Sequence, residues 1–293
     1  MAGEAAKTDG NWYVLLVGLP RLASPVILAP GLSLRPLDSP LDVFTLAAAG
    51  AVGFKGWAAL EQFGQGLTCE IESALDADVT PGYDTLNRAW LANCLLVLRG
   101  FTKHWGVACS GYSWNLISGK QSLARFRGNL LDYHISCFAD FGCRNDAPTA
   151  EDSAWIQQHF DIFNRLASDN EPFRFALEAA NDWRFAKEPR SAVARVWGGI
   201  EALFGISSEL VYRISLYSAC LLAERGEARK RKFDEVKRLY GLRSKVVHGE
   251  KLAEDKIFQA LSDSFHLLRD LMLVTVERGK PITAADIDDA IFS

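Results

Sequence analysis

The stretch Leu239-Tyr240-Gly241-Leu242-Arg243-Ser244-Lys245-Val246-Val247-His248-Gly249 holds a His five positions after an Arg, at the end of a strongly basic run. Apolar Leu239, Tyr240, Val246 and Val247 bracket the polar residues, so the segment is expected to be pinned to a core. Gly249 closes it with a residue suited to a sharp turn. Gly241 is expected to interrupt the helix that leads in, because glycine is a poor helix former. Imidazole takes and returns a proton near neutral pH. A guanidinium stabilises charge developing on phosphate oxygens without losing its own proton. The two together suit phosphodiester chemistry. Five residues of ideal helix turn through about 140° net, so Arg243 and His248 would not share a face. Either the segment departs from ideal helix or a second copy of the chain supplies part of the site.

Upstream of this stretch the pattern is helical as far back as residue 149. Thr149-Ala150-Glu151-Asp152 is a capping-box variant opening a helix with the stripe Trp155, Ile156, Phe160, Phe163 and Leu166. Pro172 starts a second helix, through Phe173, Leu177, Ala180 and Trp183. Pro189 starts a third, with Val193, Val196, Trp197, Ile200, Leu203 and Phe204 as its stripe and Gly205 as its stop. Ser207 is expected to cap a fourth, carrying Leu210, Ile214, Tyr217 and Leu221 and ending at Gly226. A basic helix then runs to Tyr240. Beyond the quoted stretch, a long helix from Glu254 to Arg278 carries Ile257, Leu261, Phe265, Leu268 and Met272. Thr283-x-x-Asp286 is a last capping box, with Ile282 and Ile287 as a hydrophobic staple.

Before 149 the pattern is mixed. Residues 1–10 read as a flexible tail. The runs 12–19 and 25–34, broken by Pro and Gly, read as strands. Ser39-Pro40 signals a helix to about Ala49, the Gly-rich piece 50–66 is ambiguous, and Cys69 to Leu75 reads as a strand. Tyr83 to Leu98 reads as a helix, with Leu86, Trp90, Leu91, Cys94 and Val97 at helical spacing. Residues 107–117 and 131–138 return to strand character. Trp57, Trp105 and Trp114 are expected in the core. The polar turn Cys143 to Pro148 marks a boundary. The expected organisation is an α+β domain over 11–148, of sensor or regulatory type, followed by an all-α bundle over 149–293.

The 293 residues are 49% hydrophobic and 23% charged with a net charge of -4, the balance of an ordinary soluble protein. Any nucleic-acid surface must therefore be local. The six Cys form no CxxC pair, which argues against zinc and for a reducing cytoplasmic setting. Asp234, Glu235 and Glu250, near the Arg–His segment, occupy solvent-type helix positions and build no metal cage. No metal or cofactor is expected. The longest apolar run, Ala89 to Leu98, is too short to span a bilayer.

Two features join the Arg–His segment. Glu201 lies four residues after Trp197 and three before Phe204, on or beside a buried stripe: either it rides the wet edge of a wide stripe, or it is partly buried and pairs with a cation, because an unpaired carboxylate there is costly. The run Arg225, Arg229, Lys230, Arg231, Lys232, Lys237, Arg238 leads into the segment and favours phosphate attraction.

With Val196-Trp197-Gly-Gly-Ile200-Glu201-Ala-Leu203-Phe204 upstream and a helix near Ala219 to Arg225 between, the chain over 150–293 resembles a HEPN domain, closest to the ApeA-like branch. The family motif is Arg, four to six residues, then His, and Arg243 and His248 match its two named positions. The resemblance implies a helical bundle that dimerises and brings two motifs into one cleft. Active members are metal-independent RNases, many of them toxins or antiphage effectors. Others have lost catalysis and serve as binding modules. By this resemblance His248 moves the proton, Arg243 holds the scissile phosphate, Glu201 orients Arg243, and Tyr240, Ser244 and Lys245 support them. The basic run, through Arg229, Lys230, Arg231, Lys232, Lys237 and Arg238, is expected to contact RNA. Many active members carry Asn, Asp or His directly after the Arg. Here Ser244 stands there, and a hydroxyl reproduces neither an amide's two-sided reach nor a carboxylate's charge. An endoribonuclease, an inactive RNA- or nucleotide-binding or assembly dimer, and a purely structural polar pair remain three separate expectations.

Overall fold

Trp12–Val17 is β-branched and apolar enough to be buried on both faces, and it becomes the middle of a sheet. The structure is a computed structural model and describes residues 11–41, 44, 61, 66–74, 85–118, 128–130, 143–206 and 208–292. In it, β1 (Trp12–Val17) pairs antiparallel with β4 (Leu67–Ser73) on one side and β5 (Trp105–Ser110) on the other. Outside these lie β3 (Leu32–Pro36), β2 (Val26–Ala29) and β6 (Gly128–Leu130), giving the all-antiparallel order β2-β3-β4-β1-β5-β6. Gly18 ends β1 at φ 87°, where a Cβ would lie 2.1 Å from the Lys103 carbonyl oxygen, so only glycine fits.

The run 25–34 divides at Pro30-Gly31, the residue pair a type II turn takes, and becomes the β2–β3 hairpin, with Gly31 at φ 66°. The strand-like run 107–117 stops at Ser110 and turns into the short helix α2 (Asn115–Ser118). Two contacts account for the turn: the Ser113 hydroxyl accepts from Asn115 N, and Trp114 is fully buried with its indole N–H on the Tyr13 carbonyl at 3.1 Å. Trp114 is thus core, and Trp105 packs beside the same cluster. Helix α1 (Thr85–Leu98) packs on β4, β1 and β3 and is buried on all sides from Leu91 to Leu98.

Helix α3 (Ala150–Asp169) opens on the expected capping box. Thr149 Oγ1 and N both donate to Asp152 Oδ2 at 2.9 Å, and Asp152 N donates back to Thr149 Oγ1. Asp152 is 1% exposed and also receives Arg99 and Arg144. Burial alone would raise its pKa; the Thr149 amide, the Arg144 guanidinium, the Thr149 hydroxyl and Arg99 together hold it below the usual range. The first part of α3 also covers β2 at the sheet edge. Ser153 Oγ and Gln157 Nε2 both donate to the Ile27 carbonyl.

The chain divides into two compact units, one including Cys143–Phe160 and the other including Asp161–Ser293, so that α3 belongs in part to each. The second unit is helical: α4 (Glu171–Asp182), a 3-10 turn (Trp183–Phe185), α5 (Pro189–Phe204), α6 (Leu210–Leu222), α7 (Glu227–Val247), α8 (Glu254–Arg278) and α9 (Ala284–Phe292). Asn170 caps α4 by accepting from Phe173 N. Pro189 and Gly205, at φ 60°, bound α5 as expected. Helix α5 is the hub, packing on α4, α6, α7 and α8. Gly199 makes this possible, since a Cβ there would lie 2.8 Å from Ala179 Cβ and 3.2 Å from Leu268 Cδ2. Thr283 and Asp286 form the last capping box and open α9.

Three expectations in this unit are corrected. Gly241 does not interrupt α7, which runs unbroken from Glu227 to Val247. One exposed glycine costs a helix about 1 kcal/mol, less than burial of Val236, Leu239 and Val246 returns. Helix α6 ends at Leu222, and Gly226 instead precedes α7 at φ 105°. Its most buried residues are Ile214, Ser215, Ser218 and Ala219, a small-residue face, while Leu210, Tyr217 and Leu221 are half-buried. The expected helix from Ser39-Pro40 has not begun by Leu41, and beyond that it falls, apart from Phe44, outside the described residues. So do the 131–138 strand, the Ser207 cap, Trp57 and the tail.

Candidate active site

Trp197 on α5 fixes the floor. Its indole N–H donates to Ser264 Oγ of α8 at 2.8 Å, and it is fully buried. Tyr240 of α7 stands edge-on to it at 5.1 Å. The Arg243 guanidinium lies 5.3 Å from the Tyr240 ring centre, a cation–π distance. One turn along α5 from Trp197, Glu201 accepts from Arg243 Nη2 at 3.1 Å. Of the two expectations for Glu201, the paired one is therefore present. The two side chains are 19% and 26% exposed, so the pair is shielded from water without losing contact with it. Arg243 Nε is buried and has no hydrogen-bond partner, an unsatisfied donor of the kind that costs about 1–3 kcal/mol.

His248 sits at the C-cap of α7 and is exposed. Glu250 N donates to Lys245 O, and Gly249 N, at φ 78°, donates to Val246 O; this is the Schellman pattern. Because α7 is helical through Val247, the about 140° separation of Arg243 and His248 holds in this chain. Arg243 belongs to the inner edge of α7 and His248 to its outer side. Ser244 is half-buried, and its carbonyl accepts the His248 amide at 3.0 Å; Lys245 is exposed.

The basic run divides by structure. Arg229 donates to Ala290 O at 2.7 Å and Arg225 to Ile291 O at 3.1 Å, so both fasten the end of α9. Lys232 is 3.0 Å from Glu235. Lys230, Arg231, Lys237 and Arg238 face solvent. Arg231, Arg238 and Lys245 recur every seven residues and so lie along one line of the helix, about 10 Å apart. Lys230 and Lys237 fall on the line of His248 by the same arithmetic. The exposed cations thus lead along the outer side of α7 toward His248.

Sequence reasoning missed two residues. Arg190, on the first turn of α5, donates to Val246 O at 2.6 Å and Glu250 O at 2.8 Å. Its acceptors are backbone carbonyls more than fifty residues away, for which a sequence carries no signal. Glu70, in the sheet, is fully buried. It accepts from Ser113 Oγ at 2.6 Å and Trp114 N at 2.7 Å, and burial pushes its pKa up to about 7. The native state thus prefers Glu70 protonated. Its contribution is present below the unfolded carboxylate pKa of about 4.3 and is lost as pH rises through about 7, a difference of about 4 kcal/mol. Glu70→Gln keeps an acceptor oxygen and should remove that part of the slope. Urea unfolding of both proteins between pH 4 and 8 checks this, and parallel profiles would contradict it.

No protein-family model matches the chain, and neither does any curated protein or solved structure. Among the described residues, no group of three or more His, Cys, Asp or Glu side chains is placed to hold a metal ion. No helix among them is long and apolar enough to cross a membrane.

Proposed function

We propose that the chain is a metal-independent endoribonuclease of HEPN type, an antiphage or toxin effector working in the cytoplasm as a homodimer through its helical unit. The observation that carries this reading is the Arg243–Glu201 pair seated on Tyr240 and Trp197, on the helix whose end presents His248. A guanidinium held on one side by a carboxylate keeps its remaining N–H donors for a phosphate. On one copy the Arg and the His diverge. A two-fold axis near the end of α7 would set Arg243 and His248 of both copies around one phosphate.

In this mechanism one His248 removes the proton from the ribose 2′-OH, and the oxygen attacks the adjacent phosphorus. The phosphorus–5′-oxygen bond breaks, and the partner copy's imidazolium protonates the departing oxygen. Arg243 stabilises the charge that builds on the non-bridging oxygens. The products carry a 2′,3′-cyclic phosphate and a 5′-OH. The sheet unit is the sensor or regulatory part. Purified protein incubated with total RNA in EDTA should give those ends and leave single-stranded DNA intact. Cleavage that EDTA abolishes and magnesium restores would sink the mechanism.

Ser244 after the motif Arg supports a second reading, a catalytically inactive dimer that binds RNA or a nucleotide or serves in assembly. RNA binding without cleavage, unaffected by His248→Ala, would select it. Under either reading, the solvent-facing cations act without regard to sequence. Changing Lys230, Arg231, Lys237 and Arg238 to Gln should weaken binding to all RNAs and reduce the slope of log K against log salt by about 0.7 for each phosphate no longer neutralised. Arg229→Gln should instead lower the melting temperature, because Arg229 holds α9. Filter binding across a salt series, with thermal melts, separates the two effects.

A further inference from the structure

We infer that Arg190 is a positioning residue for His248, a role that rests on the endoribonuclease reading. Its two carbonyl acceptors flank His248 in the chain: Val246 before it and Glu250 after it. The turn between them has its own backbone bonds, from His248 N, Gly249 N and Glu250 N. These fix its shape, and buried Val246 seats the last helical turn on the bundle, but none of them carries a hydrogen bond from the turn to another element. Arg190 supplies that attachment, with both arms of a planar fork donating across the turn. His248 therefore stands on a helix end tethered to the first turn of α5. The same α5 carries Glu201, which holds Arg243. One helix thus sets both named members of the motif, each through a different side chain.

The clamp also changes the charge at this place. A helix C-terminus carries about half a negative charge on its free carbonyls, which repels a phosphate. Arg190 places a full positive charge against the Val246 carbonyl, one of those at the helix end, and offsets that partial charge.

The test uses the full chain, with Arg190→Ala and Arg190→Lys beside the parent protein. The readouts are amide hydrogen exchange at His248, Gly249 and Glu250, single-turnover cleavage of saturating labelled RNA, and RNA binding. Arg190→Ala should speed exchange at those three amides about tenfold and slow cleavage of bound RNA by about 10- to 100-fold. Its RNA affinity should stay within about threefold of the parent's, because the exposed cations of α7 carry binding. Arg190→Lys restores the charge but not the fork, so its rate should fall between the two. Unchanged exchange and rate in Arg190→Ala overturn the role. So does a loss of rate at low RNA concentration that saturating RNA fully recovers, since that is a binding effect. If Arg190→Ala does not fold, Arg190→Lys decides: parental rate and exchange overturn the role. A parent that cleaves no RNA overturns the endoribonuclease reading and with it this one. A parent that cleaves no faster than Arg190→Ala overturns only this one.

Discussion

His248→Ala is expected to slow cleavage of bound RNA by about 100-fold or more while RNA affinity stays nearly unchanged. The imidazole is exposed at the end of α7, and the structure shows no hydrogen bond from its ring to a neighbouring side chain among the described residues. Removing it should therefore leave the fold intact. The backbone turn does not need it either, since His248 contributes to the turn through its amide. What is lost is the group that moves the proton. Single-turnover cleavage of a labelled RNA by parent and variant, with binding measured separately, gives the result directly. Parental cleavage by His248→Ala would end the RNase reading and leave the binding module in its place.

Arg243→Ala should cost more, about 100- to 1,000-fold in rate, and should weaken binding as well, because it touches phosphate before and during the reaction. It also strands Glu201, which is 26% exposed beside buried Trp197, and leaves Tyr240 without its cation. Arg243→Lys should recover only part of the rate. A single ammonium cannot pair with Glu201 and still present parallel N–H groups to a phosphate. Glu201→Gln probes the same pair from the other side. The amide keeps the shape and loses the charge that fixes the guanidinium, so the fold should survive and the rate should drop. Glu201→Gln acting like the parent would show that Arg243 needs no orienting partner.

The helical half was legible because its signals are local. Thr149, Pro172, Pro189 and Thr283 announce helix starts through chemistry that acts within one turn, and the long α8 carries its stripe along its whole length. Glu201 could be found because Trp197 and Phe204 are neighbours on its own helix. Gly241 misled for the same reason: its local cost is real, and only the burial of Val236, Leu239 and Val246 against other elements outweighs it. In the sheet the polar residues of Leu67–Ser73 alternate as on a solvent face. Glu70 is buried because Ser113 and Trp114, forty-odd residues on, fold over it. Arg190 lay beyond reach of any pattern, since its partners are carbonyls that every residue possesses.

The carbonyl of Ile27 has a further consequence, for how copies of this chain behave when crowded. Strand β2 is an outer strand of the described sheet, and Ile27 is 51% exposed. An apolar outer strand with free backbone groups is a template for pairing with another chain. Ser153 and Gln157 occupy the acceptor that an incoming strand would use there. The opening turns of α3 therefore act as a guard against edge-to-edge aggregation. Losing both side chains would appear as concentration-dependent clumping before it appeared as a lower melting temperature.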